Sequence, residues 1–490
     1  MRGPGREPEG GIVVKARWTR WGIPVAFGVL VSAAAAGSDV RPETTLTSER
    51  VEEIQNAFQP GPGEERLVDA VIANPIDRIA LNHEVVRNHN TLFSDEIKSG
   101  KVTDQKSTGR CWLYAALNVL RPAVVQRVDM EDFEFSQNYL YFWDKMEKAN
   151  AFLENVIDRA DLDLRDERFQ RILRNPVDDG GYWQTFTNLC RKYGVVPRNA
   201  MPETDSTGHS RMMLRLLNQR LRLAAYEMHE SRARGAGDAE LRRGKQKVLE
   251  DVYRMLVHHL GIPPREFEFR YKEKPSEEDG DREEEKKPTV VTRRYTPMAF
   301  AEEYILDDLD QFVMVANWPS RDYGVLYEVA LTRNVVEGEY LNFLNVRLEE
   351  MKDAVLRSVL AGDPVDISAD VTHQVDRESG IMHSELYRYD EIYGVDLSGT
   401  KKVKGILGIV NSTHGMVVMG VDRVGDEIVK WRVENSWGAD SGDDGYFYMY
   451  DNWFDDYVVR AVVKREHLPE RLLALYDQTP TRIPEDQPEQ

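Results

Sequence analysis

The chain has 490 residues and a formal net charge of −20 at pH 7, with 84 acidic side chains against 64 basic ones. A field of this sign repels phosphate backbones, so no nucleic-acid partner is expected. Hydrophobic residues at 41% and charged residues at 30% are typical of a soluble globular protein.

The N-terminus carries an apolar run, GIPVAFGVLVSAAAA (22–36), preceded by Lys15, Arg17 and Arg20. This pattern predicts a signal peptide over residues 1–36, and therefore export to the periplasm or out of the cell. The run is too short to span a bilayer of about 30 Å comfortably, so no stable membrane insertion is expected. The alternative is a disordered N-terminal extension on a cytoplasmic protein.

A lead-in and then a helical half are predicted after the signal peptide. Residues 37–100 are interpreted as a lead-in, because they mix polar and apolar segments and 82–95 shows no strong period. The segment 111–120 is apolar on nearly all sides, which predicts a buried helix that ends at Arg121 and Pro122. Further helices are predicted over 135–158 and 182–193. These helices belong to a helical half over 101–204.

Residues 205–295 are predicted to form a helical insertion. Two apolar stripes at helical spacing indicate its helices, the first at Leu214, Leu217, Leu221 and Ala224 and the second at Leu249, Val252 and Leu256. The segment KEKPSEEDGDREEEKK (272–287) is dense in both charge signs and has no core-forming residue. It predicts a solvated loop.

From Gly405 onward the pattern changes to strands separated by turn residues. The predicted strands are ILGIV, MVVMGV, EIVKWRVE, YFYMY and YVVRAVV. We assign 296–465 to a β half and 466–490 to a C-terminal arm. A helical half followed by an antiparallel β half predicts an α+β fold with the active site in the cleft between them.

The chain has only two cysteines, so no disulfide framework supports the fold. Cys190 lies on an amphipathic helix and is predicted to be a small core residue. Cys111 opens the buried helix, where the macrodipole favours an anion, and Gly109 lets the preceding loop approach closely. Because a thiol attacks only as the thiolate, this position predicts a nucleophile with a lowered pKa.

Four further residues predict the chemistry around Cys111. The amide of Gln105 can donate to the oxygen that becomes negative when a thiolate attacks a carbonyl. His414, at the start of an apolar strand, is the predicted general base, and Asn435 is expected to fix its tautomer through Nδ1 under the cover of Trp437. No metal-ligand spacing occurs in the sequence, and no cofactor is expected.

The segments QKSTGRCW, STHGMVVMGV and VENSWGADSGDDGYF resemble the three active-site blocks of papain-like cysteine peptidases. The closer resemblance is to the bleomycin hydrolase and aminopeptidase C family, whose pattern also appears at 133–149, 175–197, 295–304 and 366–387. The resemblance implies that Cys111 is the nucleophile, His414 the general base and acid, Asn435 the orienting residue and Gln105 the oxyanion donor.

The same resemblance implies peptide substrates, held in an extended form by the backbone of Gly180 and Gly181. The insertion corresponds to the hook of that family, which implies a homohexamer. In the family, a C-terminal arm restricts cleavage to N-terminal residues, which implies an aminopeptidase. Here the chain ends in EDQPEQ, shorter and more acidic than is usual in that family. An endopeptidase and a non-catalytic peptide-binding ring therefore stay open as alternatives.

Overall fold

The computed structural model describes residues 44–98, 100–128, 130, 132–273 and 289–485. The predicted signal peptide, most of the predicted charged loop and the last five residues lie outside the described residues. The chain divides into two compact units, the first ending at Asp69 and the second beginning at Ala70. All candidate site residues belong to the second unit.

The predicted lead-in contains short helices. The first unit holds α1 (Ser48–Ala57) and the start of α2 (Pro62–Ala73), and the hydroxyl of Thr47 caps α1 by accepting from the amide of Arg50 at 3.3 Å. The second unit continues with α3 (Ile76–Ala80), α4 (His83–Asn88) and β1 (Asp95–Glu96). Neither α1 nor α2 has a buried residue.

The helical half and the insertion follow. Their helices are α5 (Cys111–Arg127), α6 (Gln137–Asp158), α7 (Glu167–Arg174), α8 (Trp183–Tyr193), α9 (Asp205–Gly208), α10 (Arg211–Ala233) and α11 (Asp238–Leu260). The hydroxyl of Ser136 caps α6 by accepting from the amide of Tyr139 at 3.1 Å. The described helices include none that is long and apolar enough to cross a membrane.

The helix α5 continues past Pro122 to Arg127, so the predicted end at Pro122 is wrong. A proline inside a helix costs about 3 kcal/mol. Leu117, Leu120 and Val124 are buried around this point, and burying each such side chain contributes about 1.5–3 kcal/mol. Packing against the core therefore outweighs the local preference of proline.

The insertion contains a β-ribbon that the apolar stripes do not predict. α10 and α11 turn the predicted stripes toward the core, where all of their residues are buried except Leu214 and Leu249, which are partly buried. The strands β2 (Phe267–Glu273) and β3 (Thr289–Tyr295) then pair in antiparallel register. Residues 272 and 273 belong to β2, so the loop prediction is wrong for those two positions.

The β half begins with two short helices and continues with the sheet. In chain order its elements are α12 (Pro297–Tyr304), α13 (Leu306–Leu309), β4 (Phe312–Ala316), β5 (Val325–Val329), β6 (Asn342–Asn345), α14 (Leu348–Leu360), β7 (Val365–Ala369), β8 (Ile381–Met382), α15 (Tyr389–Tyr393), α16 (Lys401–Ile406), β9 (His414–Val424), β10 (Glu427–Glu434), β11 (Tyr446–Tyr450), α17 (Asp451–Tyr457) and β12 (Val458–Lys464). The C-terminal arm adds α18 (Glu470–Tyr476) and β13 (Thr481–Ile483).

The main sheet has eleven strands in the described part of the chain. Their order is β13-β5-β6-β4-β12-β7-β9-β10-β11-β8, and β1 pairs with β9. The central pairings are antiparallel, whereas β4 with β6, β5 with β13 and β8 with β11 are parallel. The sheet is therefore mixed rather than antiparallel throughout, and the α+β class is confirmed.

The apolar run ILGIV (406–410) does not form its predicted strand. Gly408 adopts a φ of +66°, which is the left-handed region, and the side chains of Ile406, Leu407 and Ile409 are exposed. The run has no sheet neighbour to pack against, so its apolar composition does not produce a strand. The strand begins at His414 instead.

Candidate active site

A cavity of about 620 Å³ lies where the first turn of α5 faces the sheet. It is lined by residues of α5, α8, β7, β9, β12 and the C-terminal arm, among them Cys111, Trp112, Gly180, Gly181, Asp366, His414, Arg460 and Glu485. The cavity therefore contains the predicted nucleophile, the predicted base and the two predicted substrate-binding glycines.

Cys111 is the first residue of α5, and the residue before it is firmly held. The buried guanidinium of Arg110 donates to Glu203 at 2.6 Å and to the carbonyl oxygen of Thr207 at 2.5 Å. Charge-assisted bonds of this kind are the stronger hydrogen bonds in proteins. They fix the backbone turn from which the Cys111 side chain projects.

The strand β9 packs directly against this first helical turn. A Cβ atom placed on Gly415 would lie 3.6 Å from the carbonyl carbon of Cys111 and 3.6 Å from the amide nitrogen of Trp112. This close approach brings His414, the neighbouring residue on β9, to the cavity beside Cys111. The backbone amides of Gly415 and Trp112 favour the thiolate and act to lower the pKa of the Cys111 thiol.

The imidazole of His414 is oriented by Asn435 through Nε2. Its Nε2 lies 2.8 Å from Oδ1 of Asn435, and the amide of Ser436 donates to the same oxygen at 2.7 Å. Because Ser436 supplies a donor, the atom facing His414 is the acceptor oxygen, so Nε2 carries the proton. The expectation of a bond through Nδ1 is therefore wrong, and Nδ1 is left as the nitrogen that can accept a proton.

Trp437 covers this pair. Its ring stacks on that of His414 with centroids 4.7 Å apart, and the guanidinium carbon of Arg377 lies 4.3 Å from the centroid of the Trp437 ring. His414 is buried. The aromatic cover keeps water away from the bond to Asn435, which strengthens an electrostatic contact.

Gln105 joins the two sides of the site through Ser436. Its Oε1 accepts from the hydroxyl of Ser436 at 2.6 Å, its backbone amide donates to the carbonyl oxygen of Ser436 at 2.8 Å, and its Nε2 donates to the carbonyl oxygen of Thr108 at 2.5 Å. An amide nitrogen has two N–H groups. The structure therefore places Gln105 in the loop before Cys111, with one of its two side-chain N–H groups used by Thr108.

Burial dominates the protonation of the two reactive groups. It raises the pKa of the Cys111 thiol, against the opposing effect of the Gly415 and Trp112 amides, and it lowers the pKa of His414 to about 4, against the bond to Asn435. The helix N-terminus is therefore not the leading influence on the thiol, contrary to the prediction. Burial disfavours either ion alone, whereas proton transfer from the thiol to the imidazole creates both charges together.

The two glycines differ in their surroundings. A Cβ atom on Gly181 would lie 2.5 Å from the ring of Trp112, whereas one on Gly180 would meet nothing within 4 Å. The carbonyl oxygen of Gly180 accepts from Lys148 at 2.5 Å, and that of Asp179 accepts from Nε1 of Trp112 at 2.7 Å. These contacts fix the segment as one wall of the cavity.

The C-terminal arm reaches the same cavity. β13 pairs with β5, and Pro484 and Glu485 then line the cavity. The carboxylate of Glu485 accepts from Arg159 at 2.9 Å, and its carbonyl oxygen accepts from Arg171. Two arginines therefore hold the described end of the arm inside the cavity.

Nearly the whole chain matches a known protein family. The profile of the peptidase C1-like family matches residues 45–488. The chain belongs to that family.

Two relatives and one solved structure cover most of this peptidase. Aminopeptidase C of Lactobacillus delbrueckii subsp. lactis is 36% identical over 388 residues, which are 79% of this chain and 84% of that protein. Aminopeptidase C of Listeria monocytogenes is 33% identical over 443 residues, 90% of this chain and 97% of that protein. The crystal structure of PepW from Lactobacillus rhamnosis HN001 is similar with a TM-score of 0.84 and 36% identity, covering 90% of this chain and 98% of that chain.

These comparisons confirm the resemblance to the bleomycin hydrolase and aminopeptidase C family and the papain-like α+β fold.

Sequence reasoning missed several residues that build the site of this peptidase. Asp179 binds both neighbouring loops, since its carboxylate accepts from the amide of Gly109 at 3.2 Å and from the hydroxyl of Tyr141 at 2.5 Å. Ser436 and Arg377 were missed as well. The clearest available signal was at Asp179, because the acidic pair before Gly180 stands next to a motif already identified.

Other candidate groups lie outside the cavity of the peptidase. Cys190 is fully buried on α8, and burial raises the pKa of its thiol, which suits a core residue. Asp363, Glu466 and His467 bring ligand-type atoms together, but Asp363 already accepts from Lys464 at 2.5 Å and contacts His467 at 2.7 Å. A bound lysine ammonium at this position competes with a metal ion.

Proposed function

We propose that this peptidase is a cysteine aminopeptidase, with Cys111 as nucleophile, His414 as general base and acid, and Asn435 as the residue that orients His414. The observation that carries the proposal is the described end of the arm, Pro484 and Glu485, in the same cavity as Cys111 and His414. An arm in this position leaves room for only a short N-terminal part of a substrate. The names of the aminopeptidase C relatives support the same activity.

The reaction begins when Sγ of Cys111 attacks the carbonyl carbon of the first peptide bond and its proton passes to Nδ1 of His414. The imidazolium then donates this proton to the departing amine, the C–N bond breaks, and a thioester remains on Cys111. Water attacks the thioester, giving one proton to His414, and the thiolate leaves and takes the proton back. The products are the N-terminal amino acid and the shortened peptide.

The oxyanion formed in both steps needs donors at the first turn of α5. The backbone amide of Cys111 is at the helix start, where it has no partner within the helix. The second N–H of the Gln105 amide is the other donor that we propose. The Ser436 hydroxyl supports this assignment, because it holds Oε1 of Gln105 and so turns Nε2 toward the loop before Cys111.

Substrate binding is proposed to use the backbone of Gly180 and Gly181, which is fixed by Lys148 and Trp112. An extended peptide along this wall would present its first carbonyl to Cys111. Gly180 has no side chain that could stand in this path, and nothing lies within 4 Å of its Cβ position.

One comparison tests the activity. The purified enzyme is given a single peptide with a free N-terminus and the same peptide with an acetylated N-terminus, and release of the first residue is followed by mass spectrometry. Cleavage of the free peptide alone is expected. Cys111→Ala should abolish it, whereas Cys190→Ala, a matched control in the core, should keep the same specificity. Equal internal cleavage of both peptides would favour the endopeptidase alternative.

We also propose that the enzyme forms a homohexamer and that residues 1–36 direct its export. Exposed apolar side chains along α10, including Met212, Leu216, Leu223 and Tyr226, support a subunit contact. Mass photometry of the purified protein tests the first proposal, and a monomer at micromolar concentration would refute it. N-terminal sequencing of protein from fractionated cells tests the second, for which cytoplasmic protein with an intact N-terminus is the contrary result.

A further inference from the structure

One buried carboxyl group in the cavity has no partner. Asp366 lies on β7 with 7% of its surface exposed, and it lines the cavity. Its side-chain carboxyl group forms no hydrogen bond or ion pair with any of the residues that the structure describes. A buried charge without a partner is unfavourable, and buried charged groups are normally paired. An unpaired carboxyl group in a cavity wall therefore indicates a ligand that binds it.

The other carboxyl groups in the cavity wall are already neutralised. Among the described lining residues there are three acidic side chains, and Asp178 is paired with Lys148 at 2.8 Å while Glu485 is paired with Arg159 at 2.9 Å. Of these three described side chains, only Asp366 is left available to a positively charged ligand. The difference singles out this residue rather than a general acidity of the cleft.

The register of the sheet gives Asp366 apolar neighbours. Asp366 stands opposite Val462 on β12 and opposite Val417 on β9, and Met314 is the β4 neighbour of Val462. The nearby Arg460 is opposite Ser368 instead, and its guanidinium carbon lies 5.3 Å from the ring centroid of Tyr182. Arg460 is therefore displaced by two residues along β12 from the position opposite Asp366, and its guanidinium lies over the ring of Tyr182.

Asp366 is close enough to the nucleophile to influence it. Its carboxyl raises the pKa of the Cys111 thiol, so an ionised Asp366 opposes the thiolate, and burial raises the pKa of Asp366 itself to about 7. Nothing in the chemistry at Cys111 benefits from this charge. A cation brought in by the substrate would offset it, and the thiolate would then form more easily in the substrate complex than in the free enzyme.

We propose that Asp366 binds an ammonium group of the substrate next to Cys111, and that in an aminopeptidase this group is the N-terminal α-ammonium. The inference rests on the proposed function, because it assigns the amine recognition that such an activity needs to an internal side chain. A lysine side chain offers the same chemistry, and the experiment separates the two sources.

The test compares wild type with Asp366→Asn on four aminomethylcoumarin amides. The leucyl amide and its analogue without the amino group differ only in the α-ammonium, and the lysyl and norleucyl amides differ only in the side-chain cation. For Asp366→Asn we expect kcat/KM for the leucyl amide to fall about 10- to 100-fold, as for loss of one charge-assisted hydrogen bond. The analogue without the amino group should be cleaved as by wild type.

A second readout distinguishes loss of binding from damage to the site. Alkylation of Cys111 by iodoacetamide should be as fast in Asp366→Asn as in wild type, or faster, because a charge that opposes the thiolate is gone. Asp353→Asn, the same change at a half-exposed position on α14, is the matched control and should leave all rates unchanged. Asp366→Ser provides a second variant, with the same expected loss, should the asparagine variant not fold.

The outcomes are separable. A loss confined to the lysyl amide relative to the norleucyl amide would assign the ammonium to the substrate side chain. Unchanged ratios in a folded Asp366 variant, or a parallel fall in alkylation and cleavage, would overturn the proposal while leaving the aminopeptidase intact. No cleavage of the leucyl amide by wild type would instead refute the proposed function.

Discussion

The adjacent glycines of the cavity wall allow a matched test of how tightly this site is packed. A Cβ atom on Gly181 would lie 2.5, 2.6 and 2.8 Å from three ring atoms of Trp112, where ordinary carbon contacts are about 3.5–4.0 Å. Gly181→Ala therefore requires the ring to withdraw by roughly 1 Å. The ring is 5% exposed and is held by its bond to the carbonyl oxygen of Asp179.

This displacement has a cost in stability and in rate. Overpacking of this kind destabilises a protein by about 1–3 kcal/mol. Because Trp112 directly follows Cys111, moving its ring also disturbs the first turn of α5, and a misplacement of about 1 Å near the chemistry can reduce the rate roughly 100-fold. We expect Gly181→Ala to lose stability within the first range and most of its kcat.

Gly180→Ala is the control, because nothing lies within 4 Å of its Cβ position and the φ angle of neither glycine is in the left-handed region. Its free energy of unfolding should stay within about 0.5 kcal/mol of wild type. Urea unfolding measures the difference in stability between the two variants. Equal stability of the two alanine variants would refute the steric argument.

Three further variants probe the reactive pair and the arm. Asn435→Ala removes the acceptor of His414 and should lower kcat/KM about 10- to 100-fold with little change in KM, since one buried hydrogen bond is lost; a value within twofold of wild type would contradict the orienting role. Arg377→Gln removes a positive charge that lowers the pKa of His414, so this pKa should rise and the acid limb of the kcat/KM profile should move to higher pH; a downward shift would contradict the assignment. Arg159→Ala frees the carboxylate of Glu485 and should raise cleavage of acetylated peptides relative to free ones, measured on the peptide pair described above; an unchanged ratio would show that this ion pair does not hold the arm.

The reactive residues could be predicted from the sequence because each stands at the edge of a long apolar segment. Cys111 begins a helix that is apolar on nearly all sides, and His414 begins a strand whose first eight residues are buried. Such segments are constrained by burial, so their positions follow from composition. The positions of Cys111 and His414 could therefore be predicted together with the helix and the strand that they begin.

Details set by packing between elements could not be predicted. Asn435 contacts Nε2 of His414 and not Nδ1. This choice depends on how the end of β10 packs over the ring, and the sequence around either residue does not specify it. The continuation of α5 past Pro122 could not be predicted either, because it depends on packing of the helix against the core. The run ILGIV shows the opposite case: it is apolar but forms no strand, and Ile406, Leu407 and Ile409 stay exposed.

The balance of charge in the cleft follows from burial more than from the helix start. An isolated thiolate at Cys111 would face the desolvation that raises its pKa and the carboxyl of Asp366, and an isolated imidazolium at His414 would face the desolvation that lowers its pKa and the guanidinium of Arg377. Both opposing charges disfavour the single ions, whereas the ion pair forms as a unit in which each charge offsets the other. Proton transfer from Cys111 to His414 as the substrate binds therefore forms both ions together. A substrate ammonium at Asp366 would remove one of the two opposing charges at that moment, which links recognition of the amine to activation of the nucleophile.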